Sequence, residues 1–174
     1  LARVHTIVRT PVGDRPRISI QFIEDQIAEL VVTWSDRLHR ELLKEFGSRE
    51  GSRLYRTYND VFPAGFQEDT KPSEACSDLR CIDEMMQTES MRMVDLYVPA
   101  GSDPGHMHFM VYSRVEPIAL SEALPVLEHM GVDVYTERPY EINLHSGERF
   151  WIQDFHLRHE SGVAVDSDAV SDRF

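Results

Sequence analysis

Cysteine is scarce in these 174 residues: Cys76 and Cys81 are the only two. Two thiols make neither a disulfide framework nor a four-ligand zinc set, and a spacing of five turns them apart on a helix, so both are expected to be reduced. Positive charge is also short. Eighteen Lys and Arg stand against thirty Asp and Glu, a formal net charge of -12. That field repels phosphate backbones and anionic lipid, so neither nucleic acid nor a membrane surface is an expected partner. No run approaches the ~20 consecutive apolar residues of a membrane-spanning helix, and the start lacks the basic-then-apolar order of a secretory signal. A cytoplasmic location is the expectation. Because residue 1 is Leu and a strand pattern begins at once, the chain reads as a segment of a longer polypeptide.

Intact chemical motifs are missing too. There is no nucleophile elbow, no phosphate loop and no dinucleotide-binding glycine pattern; Gly13 stands alone, and Gly101 and Gly105 precede no helix start.

What is present is globular, at 41% hydrophobic and 28% charged residues. Residues 2–9, β-branched at Val4, Thr6, Ile7 and Val8, predict a strand, and the breakers of 10–16 predict a loop. Ile23, Ile27, Leu30/Val31, Trp34, Leu38 and Leu42 recur at helical spacing. They predict one long helix, about 40 Å at 1.5 Å per residue, capped by Ser19, stapled by Ile18 and ended at Gly47. The charged residues along it read as a solvated face. Leu54, Tyr58 and Val61 predict a shorter helix over 52–61, followed by a turn at 63–66 and a polar stretch over 67–71. Pro72 then opens a helix with Ala75, Leu79, Ile82 and Met86 on its buried stripe.

The second half changes period. Residues 92–98 and 108–115 alternate at period two around a loop at 99–105 and predict a hairpin. Leu120, Leu124, Leu127 and Met130 give a helix that Gly131 ends, with Pro125 inside it. Strands at 132–136, 140–144 and 150–157 follow, the last two around a turn at 145–148. Counting the helices after the first strand as one crossover gives βαββαβ. The expected fold is therefore α+β and ferredoxin-like: an antiparallel sheet with helices on one face, enlarged by a helical insertion at about 47–88. A single domain is expected over 1–162, with 163–174 a flexible tail or linker. The uncovered sheet face and the strand edges would then be left for a partner.

Among chemistry-bearing residues, His106 and His108 alternate on one strand face and could bind a metal were Asp103 or Glu116 to join them. Lacking an anchoring ligand in register, they read as surface imidazoles, and no metal is expected; His156 and His159 offer less. Asp95 and Asp154 are acids set among apolar strand neighbours; buried as a pair, at least one would have a raised pKa, but each is expected to face solvent or a loop N–H. The Met and aromatic residues have core spacing.

Five blocks in order carry a family resemblance: ARVHTIVRTPVG (2–13), IAELVVTWSDRL (27–38), YNDVFPAGFQE (58–68), LEHMGVDVYTERPYEI (127–142) and RFWIQDFHL (149–157). Together they resemble the amino-terminal region of the very long bacterial NAD-dependent glutamate dehydrogenases, and within it the third ACT-like domain. The resemblance implies a parent that oxidatively deaminates glutamate to 2-oxoglutarate and ammonia with NAD, the chemistry lying in another portion. For this segment it implies no catalytic residue and no cofactor of its own. The implied role is a regulatory and assembly domain whose partners are other domains or subunits. The alternative is an amino-acid-sensing ACT module. By analogy its effector loop would use Thr10, Gly13 and Asp14, with Asp14 accepting from an α-amino group, although the large helical insertion departs from effector-binding ACT domains.

Overall fold

The computed structural model describes residues 19–30, 32–99, 101–103 and 105–159. The chain divides into two compact units, 1–33 and 34–174. The strand and loop expected over 2–9 and 10–16, the Ile18 staple and the tail at 163–174 lie outside the described residues.

In the first unit, α1 spans Ile20–Leu30. Ser19 caps it as expected: its Oγ accepts the Phe22 N–H at 3.2 Å and its carbonyl the Ile23 N–H at 3.2 Å.

The second unit opens with α2, Trp34–Tyr58. The single long helix is thus corrected to two, because Val32 and Thr33 are not helical. Three consecutive β-branched residues, Val31 to Thr33, are poor helix formers. Thr33 is a favoured residue type just before a helix, and Asp36 in the first turn of α2 suits the positive end of its dipole. Gly47 interrupts α2 at φ 77, ψ 171, a conformation essentially confined to glycine. The chain then folds back so tightly that a Cβ on Gly51 would lie 2.4 Å from the Leu42 carbonyl oxygen.

Next comes α3, Ala64–Asp69, where a turn and a polar stretch were expected. Its Phe66 is completely buried and stacks on Phe62 at 4.4 Å. The same ring meets Trp34 at 6.2 Å and Tyr140 at 5.2 Å, edge to face, so tertiary packing secures a helix too short to stand alone. Helix α4, Pro72–Thr88, begins at its proline, and the Glu74 carboxylate accepts the Lys71 N–H at 3.1 Å. Both cysteines are buried in it and unpaired. Asp83 of α4 ties the block together: it accepts Arg53 through both oxygens (3.0 and 2.6 Å), the Tyr58 hydroxyl (2.9 Å) and Gln87 (2.7 Å).

The sheet comprises β1 (Arg92–Tyr97), β2 (His106–Arg114), β3 (Val132–Asn143) and β4 (Arg149–His159), with α5 (Leu120–His129) between β2 and β3. Its order is β1-β2-β4-β3, every neighbour antiparallel. The fold is α+β and ACT-like, with two departures from the expected layout. First, the strand expected as an added hairpin arm, β4, is central: it holds the place beside β2 that the first strand takes in the βαββαβ plan. Second, the strands expected at 132–136 and 140–144 are one. Pro139 does not break β3 because, among the described residues, β3 is an edge strand, where a missing N–H leaves no ladder bond unmade.

Alternation along the strands separates two cores. Leu96, Phe109, Val111, Phe155 and Leu157 meet Leu127 of α5 on one face. Met110, Tyr112, Tyr140, Ile142, Phe150 and Ile152 meet α2, α3 and α4 on the other. Helices therefore cover both faces rather than one. The block between the first expected strand and the hairpin occupies the face expected to stay open.

Candidate functional site

Where α3 hands over to α4, the helical block stands off the sheet and leaves a cleft of about 490 Å3. The sheet supplies side chains from all four strands: Asp95 and Tyr97, His108 and Tyr112, Arg138 and Tyr140, and Asp154 and His156. The joint of α3 with α4 supplies Asp69 to Lys71, and the first turns of α4 supply Glu74 and Asp78. Carboxylates at 69, 74, 95 and 154 outnumber the cations Lys71 and Arg138, so the cleft favours cationic or metal ligands. Arg138 is already held by Asp69 at 2.9 Å, and the Tyr140 hydroxyl donates to the same carboxylate at 2.8 Å.

At the sheet wall of the cleft two imidazoles converge on one carboxylate. His108 and His156 are cross-strand partners on β2 and β4, their rings 4.0 Å apart. His108 Nδ1 lies 2.9 Å and 3.1 Å from the Asp154 carboxylate oxygens, and His156 Nε2 lies 3.0 Å from Oδ2. All three side chains are largely buried, 14 to 21% exposed. The Tyr97 ring packs on His108 at 5.1 Å, and the exposed Tyr135 ring meets His156 edge to face at 6.0 Å.

Deeper in, Asp78 is 4% exposed and its Oδ1 accepts the Tyr112 hydroxyl at 2.6 Å. Burial pushes the Asp78 carboxyl up to about 7, reinforced by Asp154, Asp95 and Glu74 and opposed by the Tyr112 bond. Burial likewise raises the Tyr112 hydroxyl well above its usual range.

Thr10, Gly13 and Asp14 lie outside the described residues. The carboxylate that joins His108 is Asp154 rather than Asp103 or Glu116, and the second imidazole is His156 rather than His106, whose ring sits by Tyr135 at 5.6 Å. Asp95 and Asp154 both line the cleft, but Asp154 is partnered by imidazoles instead of by a second acid. Asp78 carried no signal beyond its place on α4, because helical spacing does not mark an acid as buried.

Two family models match, one for each wall of the cleft. Residues 91–170, which contain the whole sheet and α5, match the ACT3 domain of glutamate dehydrogenase; residues 41–85, most of the helical block, match its helical motif 2. The chain belongs to the glutamate dehydrogenase family, as a segment spanning helical motif 2 and the ACT3 domain. The NAD-specific glutamate dehydrogenase of Halomonas elongata is 31% identical over 166 residues, and that of Pseudomonas aeruginosa 29% over 166 residues; each match covers 95% of this chain and 10% of the relative. A Mycobacterium tuberculosis relative of the same name is 25% identical over 146 residues, 84% of this chain and 8% of its own length. The chain thus spans about a tenth of the curated relatives it matches. The cleft lies along the seam between the helical motif and the ACT3 sheet.

Proposed function

We propose that this segment is a non-catalytic regulatory and assembly domain of an NAD-dependent glutamate dehydrogenase, whose other portions convert glutamate, NAD and water to 2-oxoglutarate, ammonia and NADH. The observation that carries this reading is the pair of adjacent matches, an ACT domain and a helical motif, in a segment a tenth as long as its relatives. NAD belongs to the parent on this reading, the partners are other domains or subunits of the same enzyme, and the location is cytoplasmic. No described helix is long and apolar enough to cross a membrane.

Because helices cover both sheet faces, edges are the contact surfaces this reading favours. The outer edge of β3 is blunted by Pro139 and by the bulge between Val134 and Thr136. Among the described residues no strand pairs with the outer edge of β1, where Val94 is 37% exposed. In the test, the 174-residue chain should be folded yet form no NADH from glutamate and NAD. The full-length enzyme carrying Val94→Lys should keep its glutamate KM but lose subunit assembly or its response to effectors. Turnover by the segment alone, or unchanged assembly and regulation in the variant, overturns the proposal.

A second reading, an amino-acid-sensing module, has one observation in its favour. A cleft of about 490 Å3 lined by carboxylates and by Arg138 and Lys71 has the size and both charge signs that a zwitterion needs. The segment with Thr10, Gly13 and Asp14 is its other candidate location. Calorimetry with a panel of amino acids, repeated on Asp14→Ala and Arg138→Gln, distinguishes the two locations; flat titrations dispose of the reading.

A further inference from the structure

The cluster of His108, Asp154 and His156 is placed by the sheet itself. Its ligand-type atoms all lie within 4.8 Å of one another, on adjacent hydrogen-bonded strands. A tetrahedral zinc ion with bonds of about 2.0–2.1 Å sets its donor atoms about 3.3 Å apart. The imidazole-to-carboxylate separations here are 2.9 Å and 3.0 Å and no two donors lie more than 4.8 Å apart, so side-chain rotations that move donors by about 1.5 Å or less admit an ion between them. Two imidazoles and one carboxylate select a first-row transition metal over calcium or magnesium, which prefer all-oxygen shells.

Three further observations point the same way. Tyr97 packs on the His108 ring and both imidazoles already point their nitrogens at Asp154, so little ordering is left for an ion to impose. Asp95 adds negative charge along the same cleft, while its two cations are already engaged, Arg138 by Asp69 and Lys71 by Glu74. The cleft itself gives solvent access to a fourth coordination position.

We propose that His108, Asp154 and His156 form a binding site for one divalent transition-metal ion of the zinc class, with water from the cleft as the fourth ligand. Such an ion ties β2 to β4 and presents an exchangeable position on the seam between the helical motif and the ACT3 sheet. The site is independent of the regulatory reading, because the three ligands bind or fail to bind whatever the segment does for its parent.

The test uses the whole 174-residue chain, stripped with a chelator, then titrated with zinc alone by calorimetry and with cobalt(II) by visible absorption. One ion per chain is expected, with the intense visible bands of four-coordinate cobalt. His108→Gln, Asp154→Asn and His156→Gln should each weaken zinc by at least about tenfold. Glu74→Gln and Asp95→Asn, which thin the negative field without touching the ligands, should stay within about threefold, and millimolar magnesium should not displace the ion. Zinc should also raise the melting temperature of the wild type and of those two controls only, a readout that needs no activity. Absence of saturable binding overturns the proposal. So does equal weakening by Asp95→Asn and Asp154→Asn, or undiminished affinity in the His156→Gln variant.

Discussion

Asp78 offers a sharp test of the packing between α4 and the sheet. Its carboxyl is buried beneath α4, bonded to Tyr112, and raised from an ordinary 3.8 to about 7, chiefly by desolvation. A raised acid binds its proton more tightly in the folded chain than in the unfolded one. Its contribution is therefore fully present below about pH 4 and is lost as pH rises through about 7. With those two values, stability falls by about 2.5 kcal/mol between about pH 5 and pH 8 from this group alone. Asp78→Asn keeps the shape and an acceptor for the Tyr112 hydroxyl but has no proton to lose. It should match the wild type below about pH 4, and its advantage over the wild type should grow by about 2.5 kcal/mol between pH 5 and pH 8. The assay is urea unfolding followed by the fluorescence of Trp34 and Trp151 at several pH values, each variant compared with the wild type at the same pH so that other titrations cancel. Parallel pH profiles for the two proteins would falsify the assignment of Asp78 as a buried, proton-holding acid.

Three further outcomes are expected. Gly51→Ala should cost about 2 kcal/mol or more, since the new methyl would meet the rigid Leu42 carbonyl at 2.4 Å; denaturation midpoints measure it, and a neutral effect would show that α2 does not fold back so closely. Burial alone would raise the Asp83 carboxyl, but its bonds from Arg53, Tyr58 and Gln87 hold it below the usual range. Its stabilisation is thus present above about pH 4 and lost as pH falls through the lowered value; Asp83→Ala should cost about 3 kcal/mol at neutral pH and flatten the acid limb of the stability profile. Burial pushes the Cys76 thiol up to about 12 and the Cys81 thiol to about 11, so neither should react with a thiol reagent at pH 8 until the chain unfolds; rapid labelling of native protein would contradict their burial.

How much of this was legible in the sequence depended on whether the information was local. The hairpin of β1 and β2, the start of α4 at Pro72 and the end of α5 at Gly131 follow from period and punctuation, and the structure has them within about two residues. The continuous helix through Val31 and Thr33 was misread because apolar spacing carried on across a β-branched stretch that starts a new helix. Helix α3 was missed because Pro63 and Gly65 look like a turn, whereas Phe66 is held by rings from α2 and β3 that no local pattern reveals. Pro139 divided β3 on paper because its position at the sheet edge depends on which strands are neighbours.

That same dependence on strand order explains the candidate site. His106 and His108 at period two, and Asp154 and His156 at period two, each fix a sheet face, and the sequence shows both pairs. Nothing in either pair says that they meet. They meet across 46 positions because β4, rather than a strand from the start of the chain, lies beside β2. A shift of one residue in that register would send Asp154 and His156 to the α5 face and leave His108 alone, while Phe155 and Gln153 would enter the cleft. The helical block acts on the same face: by standing off the sheet at the α3–α4 joint, it leaves the cluster in a cleft instead of burying it in the core. Metal binding that maps to His108, Asp154 and His156 therefore reports on strand order as well as on chemistry, since another neighbour for β2 brings no second imidazole to His108.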